Sequence, residues 1–170
     1  MRIRRVARER ALQFLFQLEV NRPDDLDDTL DRFWEDQRYA AAVKALKGPN
    51  YGAEIQLAPI TADQAAVRAF SDELIRGVLK NLERIDGEIE SRLKNWNIDR
   101  VARVDRTALR LSVFEILFRE DIPPVVSINE AVELVKKYST SESGAFVNGI
   151  LDSVRKATPR PPRSPVSPEA

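Results

Sequence analysis

The chain has 170 residues, 43% of them hydrophobic and 32% charged, which suits one domain with its own core, since domains most often run about 100 to 150 residues. Lys+Arg 27 and Asp+Glu 27 cancel, so net charge does not single out nucleic acid, and with Cys 0 and His 0 disulfides, thiol nucleophiles, Cys/His zinc clusters and histidine acid–base chemistry are excluded. No apolar run approaches the roughly 20 residues of a membrane helix, and the arginine-rich start leads into an amphipathic pattern rather than a signal peptide, so the expected location is cytoplasmic.

Charge is unevenly distributed. Arg2, Arg4, Arg5, Arg8 and Arg10 face only Glu9 in the first ten residues, whereas residues 22 to 36 hold Asp24, Asp25, Asp27, Asp28, Asp31, Glu35 and Asp36 against Arg22 and Arg32. Such polarity can draw an anionic ligand to one end of a neutral protein. The first helix is expected over about residues 3 to 20, because Ala7, Ala11, Phe14, Leu15 and Leu18 recur at helical spacing. Its other side carries Arg2, Arg5, Glu9, Gln13 and Phe16 in one outward stripe. An aromatic among cations and amides is either a packing contact with a neighbouring helix or a stacking platform.

A second helix is expected from Asp24 or Asp25, whose carboxylates suit a helix N-terminus, with Leu26, Leu30, Phe33 and Trp34 inward. The alanines after Arg38 either extend it or join the loop that Gly48, Pro49, Gly52 and Pro59 enforce. Thr61 and Gln64 have capping-box spacing and open a helix that buries Val67, Phe70, Leu74 and Val78. Leu82, Ile85, Ile89, Leu93 and Trp96 form the next amphipathic pattern, which stops near "NWN". From Asp105 to Glu120, Ala108, Leu109, Leu111, Val113, Phe114, Ile116, Leu117 and Phe118 surround the helix axis, which marks a buried central element.

Pro123 and Pro124 end that element, and Ser127 with Glu130 reads as a capping box for a helix burying Ile128, Ala131, Val132, Val135 and Tyr138. After "STSESG" the last helix is defined by Val147, Ile150, Leu151 and Val154. Half of the 10 prolines follow in "TPRPPRSPVSPEA", a tail expected to be disordered. With no alternating strand pattern and no internal repeat, the fold class is all-α. One helical domain spans residues 1–156, with 36–58 a variable loop or helix extension and 157–170 the tail.

No phosphate-cradling loop or dinucleotide fingerprint is present. Glu115 lies within the buried helix, where a raised pKa could make it a general acid. It has no partner nearby in sequence, so a structural hydrogen bond is expected; neither an enzyme nor a bound cofactor or metal is. The arginines can neutralise phosphates with forked donors, and unpaired RNA bases stack on exposed rings. Phe16 and Phe146 are the candidate platforms, although Phe146 borders an apolar face and could equally close the core. Ser141, Glu142 and Ser143 are candidate caps at an N-terminus that favours anions. Asn148 can bond a base edge, and Gly149 admits a close neighbour, be it a partner's backbone or another helix.

The segments "RVARERALQFLFQLE" at 5 to 19, "RVDRTALRLSVFEILF" at 103 to 118 and "SINEAVELVKKYSTSESGAFVNGILD" at 127 to 152 resemble the NusB family of bacterial transcription antitermination factors. The resemblance covers most of residues 2 to 156. It implies an all-α fold of about seven helices in two packed bundles that binds single-stranded boxA RNA together with NusE, a small-subunit ribosomal protein, in an antitermination complex on RNA polymerase. By position it assigns RNA contacts to Arg4, Arg5 and Arg8, to Phe16, to Asp105 ahead of the central helix, and to Glu142 and Phe146. With Arg2, Gln13, Ser143 and Asn148 these make up the candidate RNA-binding set. Phe16 stands where a tyrosine can occur, which removes a hydroxyl and keeps the stacking face. The resemblance leaves open a homodimer that buries this face, and it does not identify the residues that touch NusE. Two other functions stay open: a protein-only adaptor, and the RNA-targeting domain of a ribosomal RNA methyltransferase system, which the proline-rich end disfavours.

Overall fold

The computed structural model describes residues 2–46, 48, 52, 54–94 and 97–160. These form seven α-helices: α1 Arg2–Leu18, α2 Leu26–Ala45, α3 Ala62–Lys80, α4 Leu82–Glu90, α5 Arg103–Phe118, α6 Pro124–Tyr138 and α7 Ser141–Ala157. A 3-10 turn at Ile98–Arg100 precedes α5. No strand occurs among the described residues, as the helical periodicity predicts.

Helix α5 is the hub. Ala108, Leu109, Val113 and Ile116 are fully enclosed, and the helix packs against α1, α3, α4, α6 and α7. Each such aliphatic side chain, apart from the smaller alanine, stabilises the fold by about 1.5–3 kcal/mol on burial. On one side α1, α2 and α3 form the first bundle, where Phe14 meets Phe33 edge-on with ring centroids 5.3 Å apart. The second consists of α4, α6 and α7 around α5. At Gly77 of α3 an added Cβ would lie 2.1 Å from the Phe114 ring, so the absence of a side chain there lets α3 and α5 approach.

Capping follows the sequence in part. Asp25 accepts from the Asp28 amide at the start of α2, and Thr61 with Gln64 forms both bonds of a capping box. The expected box at Ser127 and Glu130 is overturned, because Pro124 opens α6 three residues earlier. Proline suits that first position, its fixed φ being helical and its missing N–H being an orphan there in any case. Ser127 is instead buried and donates to Glu115, and Glu130 binds Arg5. At α7 the cap is Thr140 rather than the serines and glutamate after it, with its hydroxyl accepting from the Ser143 amide.

Helix α2 runs on through its alanines to Ala45, leaving Tyr39, Val43 and Leu46 exposed. The returning loop is tied down by Arg38, which donates to the Ala58 carbonyl at 2.6 Å. Helix α4 ends at Glu90, short of Leu93; Trp96 and Pro49 lie outside the described residues. So do residues 161–170 of the expected tail, but Arg160 is held in place. Its guanidinium donates to the Arg119, Ile122 and Glu115 carbonyls at 2.7–2.9 Å and also to that of Ile116. It thereby satisfies the carbonyls that a helix end leaves without partners.

Candidate nucleic-acid interface

The N-terminal arginines are mostly paired. Arg2 is exposed at the rim of a groove between α1, α2 and α3. Arg4 donates to Asp121 at 3.2 Å and lies over the Phe70 ring, 4.9 Å from its centroid. Arg5 is exposed, and forks onto Glu130 of α6 at 3.1 and 2.9 Å. Such partly solvated pairs contribute little stability and can exchange for a phosphate.

Arg8 departs from the sequence expectation. It is only 4% exposed, and its guanidinium makes two parallel bonds to Glu115, at 2.7 and 2.8 Å. Glu115 is 1% exposed and accepts a third bond from Ser127. A buried cation in this setting neutralises a buried carboxylate and has no face to offer a ligand. Arg8 therefore leaves the set of direct contacts, and Glu115 gains the structural partner it was expected to need.

The opposite end of α1 is built differently. Gln13 accepts from Arg10 and donates to the Tyr138 hydroxyl at 3.2 Å. Tyr138 was expected inside; it is 40% exposed and donates to Glu9, which also receives Lys137 at 2.6 Å. Burial lifts the Glu9 carboxyl, but the hydrogen bonds from Lys137 and Tyr138 and the Lys137 charge outweigh it and hold its pKa below the ordinary value. Phe16, one turn further on, is half-buried. Arg103, the first residue of α5, lies over its ring with the guanidinium carbon 4.0 Å from the centroid. The same guanidinium donates to the Phe16 carbonyl at 2.8 Å and to Glu19 at 3.1 Å.

Glu19 gathers Arg103, Arg106 and Arg110 on its two oxygens. Burial raises its pKa, and the bonds and charges of the three guanidinium groups, Arg106 foremost, bring it below the ordinary value. Residues 103, 106 and 110 recur at steps of three and four, which puts them on one helix face. That spacing marks a cationic helix face, but nothing local to it points to Glu19, which lies 84 to 91 residues away in the chain.

Beside this junction α5 meets α7. Asp105, 5% exposed, accepts from the Ser143 hydroxyl at 2.8 Å. Ser143 is 8% exposed, so these two expected contacts act as a strut that fixes the α7 N-terminus rather than as open ligand groups. The strut places the first turns of α7 next to the Arg103 end of α5. There Glu142 and Asn148 are exposed and Phe146 is half-buried, resting on the core without being sealed by it. Gly149 is exposed with nothing within 4 Å of an added Cβ, so close helix packing does not account for it.

The candidate set thus falls into two ends. Arg5 and Phe16 are eleven residues apart on α1, about 16 Å along its axis. One end offers exchangeable arginines; the other brings Gln13, Phe16 under Arg103, and the start of α7 together.

Residues 5–156 match the model of the NusB family. A transcription antitermination protein NusB of Methylacidiphilum infernorum is 43% identical over 157 residues, covering 92% of this chain and 93% of the relative. Among solved structures, T. maritima NusB superposes with a TM-score of 0.69 at 36% identity, covering 92% of this chain and 93% of that one. A complex of antitermination factors NusB and NusE with double-stranded RNA has a chain with a TM-score of 0.68 at 29% identity, covering 92% of this chain and 98% of that one.

Proposed function

The chain belongs to the NusB family, and from that premise we propose that it is a non-catalytic transcription antitermination factor that binds single-stranded boxA RNA together with NusE in the cytoplasm, keeping ribosomal RNA transcription processive as part of an RNA polymerase complex. What carries the proposal is the junction of α1, α5 and α7. There the Arg103–Phe16 stack and the Asp105–Ser143 bond bring an aromatic and cationic helix end against the exposed first turns of another helix. Unpaired RNA needs this combination of flat groups for its bases and cations for its backbone. The contacts are Arg2, Arg4 and Arg5 for phosphates, the Phe16–Arg103 stack and Phe146 for bases, and Gln13, Glu142 and Asn148 for polar edges, with Asp105 and Ser143 holding the geometry.

Titrating boxA RNA against the protein, alone and with NusE, tests this directly. Duplex RNA of the same sequence is the necessary competitor, because the solved NusB–NusE complex holds double-stranded RNA. Preference for the single strand, strengthened by NusE, supports the proposal. Equal or stronger binding of the duplex removes the base-stacking part, and binding of NusE with no RNA affinity of either kind would favour the protein-only adaptor.

A further inference from the structure

The ring of Phe16 is the expected stacking platform, yet one of its faces is already covered. Arg103 lies over it with the guanidinium carbon 4.0 Å from the centroid, Nε held by Glu19 and Nη2 by the Phe16 carbonyl. Three restraints on one planar group fix both its position and its tilt. The Arg103 side chain nevertheless keeps 40% of its surface exposed. With Phe16 beneath and two nitrogens held, the outer face and the Nη1 edge are the parts of the guanidinium without a partner among these contacts.

Building on the RNA-binding function proposed above, we propose that the outer face of the Arg103 guanidinium, not the Phe16 ring, is the platform on which an unpaired RNA base stacks. Guanidinium planes stack on nucleobases as aromatic rings do, and this one carries charge as well as a flat surface. Because Glu19 and Phe16 already hold it, little freedom is left to lose on binding. Arg106 and Arg110 neutralise Glu19 alongside Arg103, so the carboxylate that positions the platform does not cancel its attraction for the backbone. Phe16 is then a positioning residue: it supports the guanidinium from below and acts on the RNA through it. Lysine at position 103 would keep the charge and lose the plane.

The test uses the full chain with NusE and boxA RNA carrying 2-aminopurine at successive positions, whose fluorescence is quenched when the base stacks. Arg103→Lys should abolish quenching at one position and weaken binding about tenfold, with the salt dependence unchanged because the cation remains. Arg103→Ala should lose the same quenching and lower the salt slope as well. Should Arg103→Ala instead keep the quenching or bind more tightly, Phe16 is the platform once uncovered and the inference is overturned while RNA binding stands. If the unaltered protein with NusE neither binds nor quenches any labelled RNA, the proposed function fails and this inference fails with it. Circular dichroism and thermal melting of both variants confirm that the helices are intact.

Discussion

Arg8 and Glu115, 107 positions apart in the chain, share two parallel hydrogen bonds of 2.7 and 2.8 Å inside the protein. The pair joins α1 to α5, and Ser127 extends it to α6. Removing one partner leaves the other charged and buried, so Arg8→Ala or Glu115→Ala should each destabilise the fold by about 3–5 kcal/mol. Replacing both together, as Arg8→Met with Glu115→Leu, should cost far less than the sum. Urea unfolding of the three variants checks this; additive losses would mean that the two residues act separately.

Gly77 and Gly149 should respond oppositely to alanine. At Gly77 the new Cβ would meet the Phe114 ring at 2.1–2.8 Å, and the overpacking should cost about 1–3 kcal/mol, partly recovered by Phe114→Leu. At Gly149 it meets nothing within 4 Å, so helix propensity should raise stability by about 0.5–1 kcal/mol. Thermal melts read both. Unchanged RNA and NusE affinity in Gly149→Ala would end the idea that a partner's backbone approaches there.

Acid should loosen the end of α1 near Asp121. The Arg119 hydrogen bond, against burial and with the charges of Arg119 and Arg4, holds the Asp121 carboxyl at about 2, below its ordinary 3.8. A carboxyl depressed in the folded state stabilises fully above its unfolded value. That contribution is lost as pH falls from about 4 through 2. The site is 48% exposed, so solvent screening keeps the effect modest. Asp121→Asn should flatten the stability profile over this window, and added salt should shrink the difference between the two proteins.

Salt dependence should count the phosphate contacts. With Arg8 buried, Arg2, Arg4 and Arg5 remain from the N-terminal cluster, and together with Arg103 they neutralise four phosphates, for a log–log slope of about 2.8. Replacing any one of them should lower it by roughly 0.7. Arg8→Met paired with Glu115→Leu, if folded, should leave the slope unchanged. Phe146→Ala should weaken RNA binding by about 1–3 kcal/mol without unfolding the protein; loss of the fold would assign the ring to the core.

Local signals made most of the fold legible. The apolar surround of α5 announced a central helix, and Thr61 with Gln64 marked the start of α3 because both bonds of a capping box lie within one turn. Ser127 and Glu130 show the same spacing, but their side chains were claimed by Glu115 and Arg5 from distant parts of the chain. Arg8 failed as a ligand contact for the same reason. Its neighbours in sequence suggest a basic surface, and only the folded packing brings Glu115 to it. Arg103 and Glu19 were missed because a stack and a shared carboxylate, 84 or more residues apart, have no local spacing that reveals both partners.

Arg160 has a practical consequence. Its guanidinium anchors the chain at the carboxyl end of α5, whereas the junction with Phe16 and Ser143 lies at that helix's amino end. Sixteen residues of helix separate the two poles by about 24 Å. A dye, purification handle or fused protein joined after Arg160 therefore starts away from the bases but beside Arg4, whose partner Asp121 adjoins the anchoring carbonyls, and would report on the phosphate-binding end.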